Sequence, residues 1–250
     1  MSETLTEINE QLKLIQDTRG LTFGSDAYLL AAFAKGGRSL RAADLGSGTG
    51  IIPMLCLSKN KFEKMFAVEL QKGYAEIIQK NAELNALDHR LVSICADVRS
   101  ISSANTEGEL DAVTANPPYM KADSGKRNEN DEKYLARHEV YGSIMDFCAC
   151  ARRLLKHGGK FYTVWRPDRL TDLIVALREN KLEPKQITFV CAYPGAAPSM
   201  VLIRSQKGGA SGSAVTRNLF LHLSREDAVN NILSPDAAAI YESCSFDNFK

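Results

Sequence analysis

The chain has 250 residues, is 44% hydrophobic, and sets 31 basic against 30 acidic side chains for a net charge of +1. That much apolar material suffices for one large core, with or without a small appendage. The balanced charge excludes capture of a polyanion by the overall field, so a nucleic-acid partner would have to be met by a local patch.

The start of the chain, Met1-Ser2-Glu3-Thr4, lacks a basic segment followed by an apolar core. The apolar run from Tyr28 to Ala34 is too short to span a bilayer, so a soluble, cytoplasmic protein with no membrane partner is expected. Six cysteines (Cys56, Cys95, Cys148, Cys150, Cys191 and Cys244) are scattered without a Cys-x-x-Cys pair or a histidine at ligand spacing. They read as reduced core residues, and no metal is expected.

Apolar residues at 5, 8, 12 and 15 have helical spacing and predict a short N-terminal helix, Leu5 to Ile15, acting as a cover or a loose arm. Past the turn-prone Asp17 to Gly20, Ser25 or Asp26 is placed to cap an apolar helix from Ala27 to Ala34. Arg41 to Leu45 is a short strand that runs into Gly46-Ser47-Gly48-Thr49-Gly50 and then into the apolar helix Ile51 to Leu57. Strand, glycine turn and helix in succession form a nucleotide-type cradle: glycines let the backbone approach a ligand, and the helix start offers free N–H groups. The spacing is Gly-x-Gly-x-Gly and lacks Gly-Lys-Ser/Thr, which weighs against dinucleotides and triphosphates.

Met65 to Leu70 is a second strand with Glu69 at its tip, where a carboxylate accepts hydrogen bonds from ribose hydroxyls. Tyr74 to Leu87 is a helix, and Leu91 to Ala96 a third strand ending at Asp97, where the adenine end of the same ligand would lie. Ser100 to Glu109 is a polar loop or ragged short helix. Leu110 to Ala115 is the fourth strand, ended by Pro117 and Pro118, which forbid further ladder or helix. From Met120 to Glu139 the chain is strongly polar, with Lys121, Lys126, Arg127, Lys133 and Arg137 among acidic residues, and is expected to be a substrate lid. Ile144 to Leu155 is a helix stopped by His157-Gly158-Gly159, and Lys160 to Trp165 is strand five, with Trp165 at the core or its rim. Leu170 to Leu177 is helical, Gln186 to Ala192 is strand six, and Met200 to Ile203, after the Pro194-Gly195 turn, is strand seven. The tail suggests one more strand within Val215 to Leu223 and a short helix from Pro235 to Ser243.

Alternating strands and helices predict an α/β fold: a mostly parallel seven-stranded sheet, helices on both faces, and an antiparallel last strand, because strands six and seven are joined too tightly for a crossover. Ligands of such sheets bind at the carboxyl ends of the strands, where the glycine turn, Glu69, Asp97 and Asn116 all fall.

Asn116-Pro117-Pro118-Tyr119 carries the chemistry. Pro117 biases Asn116 toward an extended backbone, which presents the amide oxygen of Asn116 and the carbonyl of Pro117 as fixed acceptors, and Tyr119 adds a flat face for stacking. That combination suits a planar amide or amidine nitrogen, such as adenine N6 or a glutamine side chain. Accepting its hydrogens localises a lone pair that is otherwise delocalised, and it does so most strongly as the nitrogen gains positive charge.

Asp44 to Gly50, the acidic tips Glu69 and Asp97, and Asn116 to Tyr119 resemble, in this order, the motifs of class I S-adenosylmethionine-dependent methyltransferases that act on amino groups. Phe23-Gly24-Ser25-Asp26-Ala27, Leu135 to Glu139, Arg166 to Leu170, and Pro194 through Gly209 are similar to the bacterial enzymes that methylate N6 of adenosine-37 in a valine tRNA. The resemblance runs from about residue 17 to residue 209. It implies a Rossmann-like methyltransferase domain at 37–209; the first sixteen and last forty residues match poorly, and a cover segment at 1–36 and an extension at 210–250 packed on the same domain are expected. By the same resemblance S-adenosylmethionine is the cofactor. Asp44, Gly46, Ser47, Gly48 and Gly50 hold its methionine end, Glu69 its ribose, and Asp97 with Val98 its adenine. Asn116 and Pro117 grip the target amine beside the cofactor, while Pro118 and Tyr119 pack on the base. Lys121, Lys126, Arg127, Arg137, Arg204 and Lys207 are candidate contacts to tRNA phosphates, and Arg166 and Arg169 either join them or cap a helix. A monomer is the expected state. The alternatives are protein glutamine N5-methylation, ribosomal RNA guanine N2-methylation, and a cofactor-binding RNA adaptor without catalysis.

Overall fold

In the computed structural model, which describes residues 3–9, 12–17, 24–117 and 142–249, the sheet is laid down in the order β5-β4-β3-β6-β7-β9-β8. These strands are β3 (Arg41–Leu45), β4 (Lys64–Glu69), β5 (Leu91–Cys95), β6 (Leu110–Ala115), β7 (Leu155–Trp165), β8 (Leu182–Cys191) and β9 (Pro198–Lys207). From β5 to β7 every neighbour is parallel, whereas β9 is antiparallel to both β7 and β8. The link from β8 to β9 is too short for a crossover helix, so the chain reverses, and the last of the seven strands is antiparallel as expected. Its position between the fifth and sixth is a tertiary result. Two short bridges, β10 (Ala214–Val215) and β11 (Leu219–Phe220), lie along the outer edge of β8 in place of the one expected strand.

Strand residues alternate between two apolar layers. Ala42, Met65, Ala67, Ala112 and Val164 face one core, together with α1 (Ser25–Phe33), α2 (Ile51–Ser58) and part of α3 (Lys72–Leu84). Ala43, Phe66, Val68, Val113 and Phe161 face the other, against α4 (Ile144–Leu154) and α5 (Leu170–Glu179). Covering both faces explains why these strands read as near-continuous apolar runs. Trp165 is buried at the rim, and its indole N–H donates to the carbonyl of Arg169.

The expected N-terminal helix is not formed. Residues Glu3–Asn9 (β1) and Leu12–Asp17 (β2) make an antiparallel hairpin, with Leu12 and Leu14 buried at strand period. A helix of that length is marginal in water. The extended form lets two asparagines, Asn81 on α3 and Asn85 just past its end, pair with β2: Asn81 accepts from the N–H of Ile15 (2.6 Å) and donates to its carbonyl (3.0 Å). Asn85 does the same for Lys13 at 2.9 and 2.7 Å.

After the short α6 (Arg225–Val229), helix α7 (Pro235–Ser243) and the residues that follow pack on α1. The rings of Tyr28 and Tyr241 lie 4.8 Å apart, and Phe246 meets Phe33 edge-on at 5.4 Å. Among the described residues no helix is long and apolar enough to cross a membrane.

Candidate active site at the strand tips

Strand register assembles the site. Leu45 pairs with Ala115 on one side and with Val68 on the other, and Glu69 pairs with Cys95. The residues that leave the sheet next therefore share one rim: Asn116 beside the glycine turn, then Glu69, then the segment holding Asp97. Neighbouring strands are about 4.8 Å apart, so the four tips span a distance suited to one extended ligand.

The glycine turn is held from below and behind. The N–H groups of Gly46 and Ser47 both donate to the Val68 carbonyl, at 2.9 and 3.0 Å. Gly46, Gly48 and Gly50 all have positive φ, a region that favours glycine. A Cβ at Gly46 would press on Phe147 and one at Gly50 on Ile78, both at 3.2 Å, whereas a Cβ at Gly48 would meet nothing within 4 Å. Gly48 is thus the point where backbone faces open space. Its N–H donates to Glu69 Oε2 at 2.9 Å, and Glu69 Oε1 accepts from the N–H of Gln71 at the same distance. Desolvation raises the Glu69 carboxyl above its ordinary range, while these backbone N–H groups pull it back. Each carboxylate oxygen keeps a lone pair for a hydroxyl donor, so the residues present fit a ribose.

Asp44 lies under the turn with no exposed surface. Its two oxygens accept from Ser47 Oγ and Thr114 Oγ1, both at 2.6 Å. Asp44 therefore clamps the turn to β6 and shapes the cradle through Ser47. Burial pushes its carboxyl up to about 7, against the pull of the two hydroxyls. Asn81 supplies a further tie that the sequence did not reveal: its Nδ2 also donates to the Thr49 carbonyl at 2.9 Å, joining the turn to the N-terminal hairpin.

At the far end of the rim Asp97 is paired with Arg99, whose Nη2 is 2.5 Å from Oδ2. Hydrogen bonds from the Arg99 side chain hold the Asp97 carboxyl below its ordinary range, despite partial desolvation. Val98 is buried, and its carbonyl accepts from Arg153 Nη2 of α4 at 2.7 Å, which ties this loop to the second core.

Asn116 follows β6 directly. Its Nδ2 donates to Asp26 Oδ2 at 3.0 Å, while its Oδ1 is buried and has no hydrogen-bond partner among the described residues. Pro117 is buried beside it. Neither Ser25 nor Asp26 caps α1: the cap is Gly24, without a side-chain bond, and Asp26 lies in the first turn with its Oδ1 on the Ala27 N–H at 2.9 Å. A helix start so close to the Asn116 amide was legible in the sequence only as a capping signal, because nothing in the spacing brings residues 26 and 116 together.

Pro118, Tyr119, Lys121, Lys126, Arg127 and Arg137, and the lid expected from 120 to 139, lie outside the described residues. Arg166 is paired with Asp168, Arg169 with Asp172, and Lys207 with the Leu155 carbonyl and Glu109. Arg204 keeps a buried Nε without a partner among the described residues. An open cleft of about 630 Å³ lies at the opposite ends of β3 and β4, lined by Arg41, Lys64 and Arg90. There Arg41 and Arg90 are engaged with main-chain carbonyls and Lys64 with Glu107, which marks a structural seam away from the strand tips. Among the described residues no group of three or more His, Cys, Asp or Glu could hold a metal.

A parallel sheet in this strand order, with an antiparallel strand inserted near one edge and a glycine turn answered by an acid on the next strand, defines a class I, Rossmann-like methyltransferase. The chain belongs to the methyltransferase small domain family, whose model matches residues 18–179. The methyl donor of this class is S-adenosylmethionine, and the glycine turn and Glu69 fit it. The chain is 27% identical over 194 residues to a tRNA1(Val) (adenine(37)-N6)-methyltransferase from Bacteroides fragilis, covering 78% of this chain and 81% of the relative. A protein of the same description from Porphyromonas gingivalis is 25% identical over 221 residues, 85% of this chain and 86% of the relative. Among solved structures, a predicted O-methyltransferase from Agrobacterium tumefaciens superposes with a TM-score of 0.70 at 23% identity, over 88% of this chain and 97% of its own, a likeness of fold.

Proposed function

We propose that this protein transfers a methyl group from S-adenosylmethionine to N6 of adenosine-37 in the anticodon loop of a valine tRNA, acting in the cytoplasm as a monomer. The observation that carries the reading is the Asn116 amide, whose nitrogen is taken by Asp26 and whose buried oxygen has no donor among the described residues. A buried amide oxygen without a donor is costly, roughly 1–3 kcal/mol, and an exocyclic N–H at the strand tips removes that cost. The names of the curated relatives supply the substrate.

S-adenosylmethionine, when bound, supplies an electrophilic methyl group on a sulfonium. In this reading the turn at Gly46, Ser47, Gly48 and Gly50, fixed by Asp44, receives its amino-acid end, Glu69 its ribose hydroxyls, and the loop at Asp97 and Val98 its base. Asn116 Oδ1 and the Pro117 carbonyl accept hydrogens from the target amine, which localises its lone pair and favours the charge that develops on nitrogen. An adenosine in an anticodon loop leaves its stack at less cost than one in a duplex.

Transfer of a labelled methyl group to bulk tRNA, bulk ribosomal RNA and cell protein tests this. Label is expected in tRNA, and Asn116→Ala should abolish its incorporation while leaving cofactor affinity within a few fold. Label confined to protein would favour glutamine methylation, label confined to ribosomal RNA would favour guanine methylation, and cofactor binding without any transfer would point to an adaptor. Each of these outcomes overturns the tRNA reading.

A further inference from the structure

We infer that Asp26 is a positioning residue for methyl transfer, fixing which way the Asn116 amide faces, and that Tyr241 of the C-terminal helix holds the start of α1 in place for this. The inference rests on the reading above that Asn116 receives the target amine.

The two ends of an asparagine amide are nearly the same size, so only hydrogen-bond partners decide which end points where. Here Nδ2 donates to Asp26 Oδ2 at 3.0 Å. The flipped amide would set Oδ1 against a carboxylate oxygen, two acceptors with no proton between them. Asp26 thereby leaves Oδ1 as the end turned away from α1, and that is the buried oxygen without a partner among the described residues.

Asp26 is itself held. Its Oδ1 accepts from the Ala27 N–H at 2.9 Å, and a Cβ at Gly24 would stand 2.8 Å from the same oxygen, so residue 24 must lack a side chain for the carboxylate to stay where it is. The Tyr28 ring lies 4.8 Å from that of Tyr241, and the Tyr28 hydroxyl donates to the Tyr241 carbonyl at 2.6 Å. Helix α7 thus grips α1 within one turn of Asp26, which gives the C-terminal extension a part in the reaction beyond covering the core.

The test uses the full chain with Asp26→Leu, Asp26→Asn, Gly24→Ala, Tyr241→Phe and Tyr241→Ala. Asp26→Leu removes the acceptor and should lower kcat on tRNA by about 100-fold, while KM and the Kd for S-adenosylhomocysteine stay within about threefold. Asp26→Asn retains an oxygen that can accept from Asn116 and should recover to within about tenfold of wild type. Gly24→Ala, which displaces the carboxylate, should fall between the two. Tyr241→Phe keeps the ring on Tyr28 and should stay within about twofold of wild-type kcat, whereas Tyr241→Ala, which removes the ring, should cost about threefold or more. A role confined to folding would lower Tm in all the variants and show no rescue by Asn.

A second readout needs no RNA. Sinefungin carries an amine where the cofactor carries its methylsulfonium, a donor for Asn116 Oδ1, so Asp26→Leu should weaken sinefungin by about tenfold while leaving S-adenosylhomocysteine unchanged. If wild type fails to methylate tRNA but this selective loss appears, the substrate reading falls and the orientation by Asp26 stands. An Asp26→Leu protein with wild-type kcat, or with equal losses for both cofactor analogues, overturns the inference.

Discussion

Replacing Asp44 with Asn isolates the carboxyl on which the glycine turn rests. Burial raises this group from 3.8 to about 7, the Ser47 and Thr114 hydroxyls pull against that, and Glu69 adds to it. An acid whose pKa is raised in the native state keeps its proton where the unfolded chain has already lost it. Below about pH 4 both states are protonated and Asp44 adds no pH dependence. From there to about pH 7 the native state binds more protons, so stability falls as pH rises, by roughly 1.4 kcal/mol per unit at most. Above about pH 7 the loss levels off at roughly 4 kcal/mol. Asn has nearly the same volume and keeps one acceptor, and the second hydroxyl can rotate to accept from its nitrogen, so its own change in hydrogen bonding does not titrate. The stability of Asp44→Asn relative to wild type should therefore climb by about 4 kcal/mol between pH 4 and pH 8. Urea unfolding of both proteins at half-unit steps of pH and constant ionic strength reads this difference directly. A difference that is flat with pH, or that moves against the variant as pH rises, would refute a buried, proton-retaining carboxyl at this position.

Glu69→Gln sets an amide N–H₂ against one of the two backbone N–H groups that Glu69 now accepts, and should weaken S-adenosylhomocysteine by about tenfold in calorimetry; unchanged affinity would count against the ribose assignment. Asn81→Ala removes three hydrogen bonds to Ile15 and Thr49, and should cost about 3 kcal/mol and speed amide exchange in residues 12–17, which a merely adjacent hairpin would not show. Phe246→Ala opens a cavity among Phe33 and Phe249 and should lower unfolding free energy by about 3–5 kcal/mol; a change under about 1 kcal/mol would mean that the extension does not share the main core.

The sequence by itself determined the alternating α/β plan, the reversal at the last of the seven strands, and the rim on which Gly46 to Gly50, Glu69, Asp97 and Asn116 meet. Those features are local: apolar runs of strand length, glycines that permit positive φ, and prolines that end β6. The insertion of the seventh strand between the fifth and sixth was left to the tertiary structure, and so were three further matters. Apolar residues at 5, 8, 12 and 15 fit a helix on paper, yet the hairpin forms because Asn81 and Asn85 bind the edge of β2, and a partner 66 residues away leaves no mark on local periodicity. Asp26 read as a helix cap, and only the packing of α1 on the sheet brings it to the Asn116 amide at the end of β6, 90 residues on. The C-terminal residues matched nothing by motif, because what they contribute is shape: aromatic rings packed on α1. Local rules specify most of the elements, whereas contacts between elements distant in the chain depend on packing that no short window of sequence contains.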